Sequence, residues 1–226
     1  MKKTLIFLLV FLLVLGLTSA AGARTDGEFT GFSEGDEEGY VKAVVTIEDD
    51  DITAVELREY DHLAREKGEH YEYQSFQKAI RELPEKFIAA NDYDIDIISG
   101  ATKTSEKARE AVKMSLEKSQ GVTEFDGTFM ARSDKTERGW GVIWLTLKGG
   151  EITDIRLEEV SGDEFKDENY GWEAYHSARE KIAERMLEAN SYEVDAYTSA
   201  TGSSKLWMEA AEQALNMAGF NQINEE

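Results

Sequence analysis

Cysteine is absent from this chain of 226 residues. That removes thiol catalysis, iron–sulfur clusters, haem attachment through C-x-x-C-H and any disulfide framework. Histidine is scarce: only His62, His70 and His176 occur, none spaced as a paired metal motif. Basic residues are also few, 25 against 46 acidic, for a formal charge of −21. Nucleic acid is therefore not expected as a partner, since phosphate binding needs a basic face. The acidic runs Glu34–Glu38 and Asp49–Asp51 lack the D-x-D-x-D-G register of a calcium loop and read as solvated turns. These absences leave chemistry brought by a bound organic cofactor, or no chemistry.

What is present suffices for a folded protein. The chain is 41% hydrophobic and 10% aromatic, and its length suits one or two domains. Residues 1–23 read as a secretory signal: Lys2 and Lys3, an apolar run from Leu5 to Leu17, and a small-residue cleavage site at Ala21-Gly22-Ala23. An uncleaved anchor is the alternative, because Thr4 to Ala23 at ~1.5 Å per residue could just cross a bilayer core of ~30 Å. Either way the remainder is expected outside the cytoplasm, secreted or in the cell envelope.

The chain also repeats itself. Asp26-Gly27-Glu28-Phe29 matches Asp126-Gly127-Thr128-Phe129, and at the same offset Thr46, Ile52-Thr53, Leu57 and Glu59 match Thr146, Ile152-Thr153, Leu157 and Glu159. One residue is then lost, and Ala90-Asn91, Tyr93, Asp96 and Ala101-Thr102 match Ala189-Asn190, Tyr192, Asp195 and Ala200-Thr201. Two tandem similar domains follow, at 26–117 and 126–218, joined by a linker at 118–125. Each unit reads strand, strand, helix, loop, helix. Tyr40 to Ile47 and Gly141 to Leu147 are rich in strand formers, with return strands at Ile52 to Leu57 and Ile152 to Leu157. Phe76, Ala79, Ile80 and Leu83 fall at helical spacing, with Pro84 ending that turn or opening another. The class is α+β, each domain a small antiparallel sheet with helices packed on one face.

The most specific repeat is D-x-x-[ST]-[GS]-A-T. It occurs as Asp96-Ile97-Ile98-Ser99-Gly100-Ala101-Thr102 and as Asp195-Ala196-Tyr197-Thr198-Ser199-Ala200-Thr201, each followed by a serine (Ser105, Ser204) and an amphipathic helix. A small, hydroxyl-rich loop feeding a helix N-terminus suits an anionic group, because the first-turn N–H groups lack partners and the helix dipole favours negative charge. The bland alternative is a turn with an N-cap, its Ser and Thr chosen for capping alone.

With Asp96 ahead, Ser99-Gly100-Ala101-Thr102 resembles the motif of the FMN-binding domain family, found in flavin subunits of Nqr and Rnf ion-pumping complexes and in secreted electron-transfer proteins. The Asp-Gly-x-Phe opening, the paired strands and the closing helix extend the likeness over nearly the whole chain, twice. Two such modules behind a secretion signal resemble the tandem flavoproteins of Gram-positive extracellular electron transfer, although no lipobox cysteine is present. The resemblance implies FMN joined through its phosphate to a threonine hydroxyl by a flavin transferase with FAD as donor. Thr102 and Thr201 would carry two covalent FMN groups. Gly100, Ala101, Ser199 and Ala200 would keep the loop accessible, and Ser99, Ser105, Thr198 and Ser204 would donate to phosphate oxygens. Asp96 and Asp195 would serve transferase recognition or a magnesium ion during transfer. Ser199 in place of Gly100 makes the second motif the less regular. Trp140, Trp144, Trp172 and Trp207 are expected in core or interface packing rather than stacked on a flavin ring.

The function implied is electron carriage rather than stand-alone catalysis, since neither unit shows an acid–base pair. A membrane quinone- or NADH-linked redox partner would supply electrons, and an external acceptor would take them. The competing expectations are a flavin-dependent reductase of a small external acceptor, and a non-catalytic surface module that keeps the fold without flavin.

Overall fold

The structure is a computed structural model that describes residues 23–68 and 71–220. The signal segment, apart from Ala23, and His70 lie outside the described residues. Among the described residues, two antiparallel sheets and four α-helices form two sheet-plus-helix halves, an α+β architecture. No helix among the described residues is long and apolar enough to cross a membrane.

The first half contains β1 (Gly27–Phe32), β2 (Tyr40–Glu48), β3 (Asp51–Tyr60), α1 (Gln74–Ala90) and α2 (Thr102–Ser119). The second contains β4 (Gly127–Arg132), β5 (Trp140–Lys148), β6 (Glu151–Ser161), a two-residue β7 (Glu164–Phe165), α3 (Glu173–Ala189) and α4 (Thr201–Met217). Both sheets are meanders in sequence order. Gly27 pairs with Ile47 and Phe32 with Lys42; in the other sheet Gly127 pairs with Leu147 and Arg132 with Val142.

Three sequence expectations are corrected. Each half has a further strand, β1 or β4, formed by the Asp-Gly-x-Phe opening, whose brevity and glycines hide the period-two pattern. Pro84 neither ends nor opens a helix: α1 runs through it, because Leu83 and Phe87 are fully buried on either side and hold both turns to the sheet. The expected linker is also shorter at its start, since α2 continues to Ser119.

Local chemistry explains the shared frame. Asp49 and Asp50 both take positive φ (53° and 70°) in the hairpin turn, as Gly149 and Gly150 do (61° and 80°). The second acidic run, Asp49–Asp51, thus supplies that turn. Asn91 and Asn190 end α1 and α3 in the left-handed conformation, φ 49° each. Their Oδ1 atoms accept from Ile52 N–H (2.9 Å) and Ile152 N–H (2.7 Å), tying each helix to the hairpin beside it.

Along β2, Val41, Ala43, Val45 and Ile47 share one face and pack on Ala108, Ala111, Val112 and Leu116 of α2. In β5, Ile143, Leu145 and Leu147 pack likewise on Ala210, Ala211 and Ala214 of α4. Helices therefore cover one face of each sheet. The opposite face of β4–β5 is covered by the first half. Trp140 Nε1 donates to the Leu63 carbonyl (2.8 Å) and Trp144 Nε1 to that of Asp36 (3.1 Å). Gly35 lies so close that a Cβ there would fall 2.3 Å from Met130 Cβ. Arg65 pairs with Asp163 (3.0 Å), and Arg156 pairs with Glu37. The one-residue slip in the repeat falls in this junction, between Glu59/Glu159 and Lys67/Lys166. That loop carries Leu63 and Ala64, both buried in the second half's core.

Candidate functional site

Both motif loops are built by one device. Ser105 Oγ accepts from Ile98 N–H (3.0 Å) and donates to the Ala101 carbonyl (2.8 Å), while Ala101 N–H donates to the Ile98 carbonyl (2.9 Å). In the second half Ser204 Oγ accepts from Tyr197 N–H (3.1 Å) and donates to the Ala200 carbonyl (2.9 Å), with Ala200 N–H donating to Tyr197 (2.9 Å). Ser105 and Ser204 are wholly buried. Their hydroxyls are consumed in shaping the loop and are not presented to a ligand, which corrects the phosphate-donor role expected for them.

That shape leaves the helices uncapped. The N-cap residues of α2 and α4 are Ala101 and Ala200, with φ near −132° and −140°, and neither helix has a side-chain cap. Alanine is a poor N-cap, so capping does not account for the motif's hydroxyls. Thr102 and Thr201 are the first helical residues, and both are exposed. Thr201 Oγ1 donates to the Thr198 carbonyl (3.3 Å), and Thr102 Oγ1 has no hydrogen-bond partner among the described residues. Ser99, Thr198 and Ser199 are exposed.

Gly100 takes φ 82°, and its carbonyl accepts from Tyr73 Oη (2.7 Å). The second half needs no such angle, because Thr198–Ala200 form a short 3-10 turn that seats Ser199. Serine is thus accommodated there without a left-handed angle.

A cleft of about 580 Å3 opens beside Thr102. It is lined by Gly100, Ala101, Thr102, Lys103 and Thr104 of the motif end, and by Tyr71, Tyr73 and Phe76 at the start of α1. Glu59, Lys67, His62 and Asp61 come from the end of β3 and the loop after it. Lys67 and Glu59 form an ion pair, and Lys67 Nζ lies 5.1 Å from the Tyr71 ring centre. Tyr71 meets Phe76 edge-on at 5.2 Å. The matching residues of the second half repeat the set: Lys166 pairs with Glu159 and lies 4.8 Å over Tyr170, which meets Tyr175 edge-on at 5.3 Å. Burial pushes the Tyr175 hydroxyl well above the ordinary tyrosine range, so it stays protonated.

Asp96 and Asp195 do not join this arrangement. Asp96 lines a separate surface groove with Lys86 and Arg109, and Asp195 another with Arg185. Neither carboxylate lines the Thr102 cleft. Trp140, Trp144 and Trp207 are buried in packing, and Trp172 is exposed at the place that Tyr73 holds in the first half. The aromatic and Glu–Lys residues are missing from the motif-based expectation. The repeat carries a signal for them, since its shorter offset sets Lys67 on Lys166, Tyr71 on Tyr170 and Phe76 on Tyr175.

No curated protein matches the chain. Among solved structures, the CPE2226 protein of Clostridium perfringens aligns over 42% of this chain and 88% of its own at 21% identity, with a TM-score of 0.37. The model of the FMN-binding domain matches residues 38–117, which take in β2, β3, α1, the first motif loop and most of α2. That match identifies an FMN-binding domain in the first half of the chain.

Proposed function

We propose that the protein is an extracytoplasmic electron-transfer flavoprotein that holds FMN by a phosphoester on Thr102 and a second FMN on Thr201, its second half being another domain of the same kind. The observation that carries this is the pair of uncapped helix N-termini, each led by an exposed threonine. Free first-turn N–H groups favour a phosphate, and a threonine hydroxyl at that point is the atom a phosphoester requires. The residues fit the rest of FMN as well. The first cleft lies within the usual ~300–1,000 Å3 range of cofactor sites, its aromatic side chains suit a flat ring, and a buried carboxylate oxygen of Glu59 is left without a partner. FMN supplies the redox chemistry when bound; the chain fixes its phosphate and walls its ring.

Attachment by ester suits a site outside the cytoplasm, where a dissociated cofactor would be diluted away. A flavin transferase using FAD would make the bond, a membrane quinone- or NADH-linked partner would deliver electrons, and an external acceptor would remove them. Passage between the halves is favoured by their junction: His62, on the first cleft, meets the Phe165 ring at 6.0 Å, and Phe165 adjoins Lys166 of the second cluster.

Co-expression with a flavin transferase should raise the intact mass by two FMN groups less two waters. Thr102→Ala and Thr201→Ala should each remove one, with the corresponding loss of in-gel flavin fluorescence. An unchanged mass in the parent chain would refute the proposal.

A further inference from the structure

Glu59 and Glu159 are 7% and 3% exposed, and each keeps one carboxylate oxygen, Oε2, buried with no hydrogen-bond partner. Each other oxygen is held by its lysine, Lys67 or Lys166. The backbone repeats the pairing, with Lys67 N–H donating to the Glu59 carbonyl (2.7 Å) and Lys166 N–H to that of Glu159 (2.8 Å). A buried acceptor left unmade costs about 1–3 kcal/mol, more when charged, and apolar residues of like volume serve a core at least as well as a buried ion pair. Packing thus gives no reason to keep both pairs, each with one oxygen idle. In the first half both members line the cleft that runs to Thr102.

An idle carboxylate oxygen beside an ammonium is an acceptor next to a donor. Lysine has three N–H donors, one directed at Glu59, with the Tyr71 ring beneath the group. The complementary ligand edge is an N–H flanked by a carbonyl, the pattern of a cyclic imide. We propose that the Glu59–Lys67 and Glu159–Lys166 pairs are ring-recognition sites for the imide edge of a flavin, the carboxylate accepting its N–H and the ammonium donating to its carbonyl. This rests on the flavin reading above, but concerns ring binding and not phosphate attachment.

The test uses the full chain carrying Thr102→Ala and Thr201→Ala, so that no ester can form, with lumiflavin and 3-methyllumiflavin as probes. Neither probe has a phosphate, and the second lacks the imide N–H. Fluorescence quenching should give two lumiflavin sites. The paired exchange Glu59→Leu with Lys67→Met, which leaves no lone buried charge, should remove one site, and Glu159→Leu with Lys166→Met the other. The methylated ring should bind the parent about tenfold or more weaker than lumiflavin, and the exchanged proteins should no longer distinguish the two rings. Circular dichroism and melting confirm folding; where an exchange does not fold, Glu59→Gln is read by its loss of discrimination between the rings. Equal binding of both rings by the parent, lumiflavin binding unaltered by the exchanges, or no lumiflavin binding would each overturn the inference. The mass assay on the threonines reports separately on covalent attachment.

Discussion

Ser105→Ala separates a hydroxyl that builds the loop from one that holds a phosphate. The substitution strands the Ile98 N–H, whose acceptor is Ser105 Oγ in a fully buried setting. Ala101 loses only the second of two donors, since Ser105 N–H still reaches its carbonyl (3.0 Å). One orphaned buried N–H costs about 1–3 kcal/mol. At ~2 kcal/mol the folded-to-unfolded ratio falls by roughly thirtyfold. For a chain of this size the melting temperature drops by about 4–8 °C. Calorimetry or thermal circular dichroism on the flavin-free chain measures this directly. Ser204→Ala should show a comparable loss, because Tyr197 N–H depends on it in the same way, whereas exposed Ser99→Ala should leave melting unchanged. An unaltered melting point for Ser105→Ala, together with a fall in flavin attachment, would refute the loop-building role and restore the phosphate-donor one.

Two further predictions concern the junction and the loop that enters it. Gly35→Lys copies the residue at the matching place in the second half, Lys135, into a position with no room for a Cβ against Met130. Overpacking of about 1–3 kcal/mol should pry the halves apart, seen as a larger radius in small-angle scattering and faster proteolysis at residues 120–126. An unchanged radius would contradict the packing described. Burial alone would raise the Asp36 carboxyl, but the ammonium of Lys107 and the N–H of Glu38 hold it below the ordinary aspartate range. A lowered carboxyl pKa stabilises the fold above the unfolded value of ~3.9, and that contribution is lost as pH falls through the folded value. Lys107→Met should therefore shift acid unfolding to higher pH, modestly because Asp36 is half-exposed; a shift to lower pH would refute the pairing.

The hairpins, the helix faces and the position of each D-x-x-[ST]-[GS]-A-T phrase at a helix start were legible in the chain, because they depend on periodicity and short-range turn chemistry. The identity of the N-cap was not. Ser99 and Thr102 look like capping residues, yet Ser105, seven residues from Ile98, folds the loop so that Ala101 takes that place. Local propensity marks Pro84 as a helix breaker, but the burial of Leu83 and Phe87 outweighs its missing N–H.

The sequence by itself determined the α+β class, the internal repeat and a threonine at each motif's end, all properties of residues close along the chain. Only the tertiary structure decided which side chains share the Thr102 cleft. Glu59 ends β3, Lys67 sits in the following loop, Tyr71 precedes α1 and Thr102 begins α2; they meet because both helices pack on one face of the sheet. It also turned Asp96 into a different groove and spent Trp140 and Trp144 on the contact between halves. Spacing along the chain carries no record of these outcomes, which arise from burying apolar faces against partners remote in sequence.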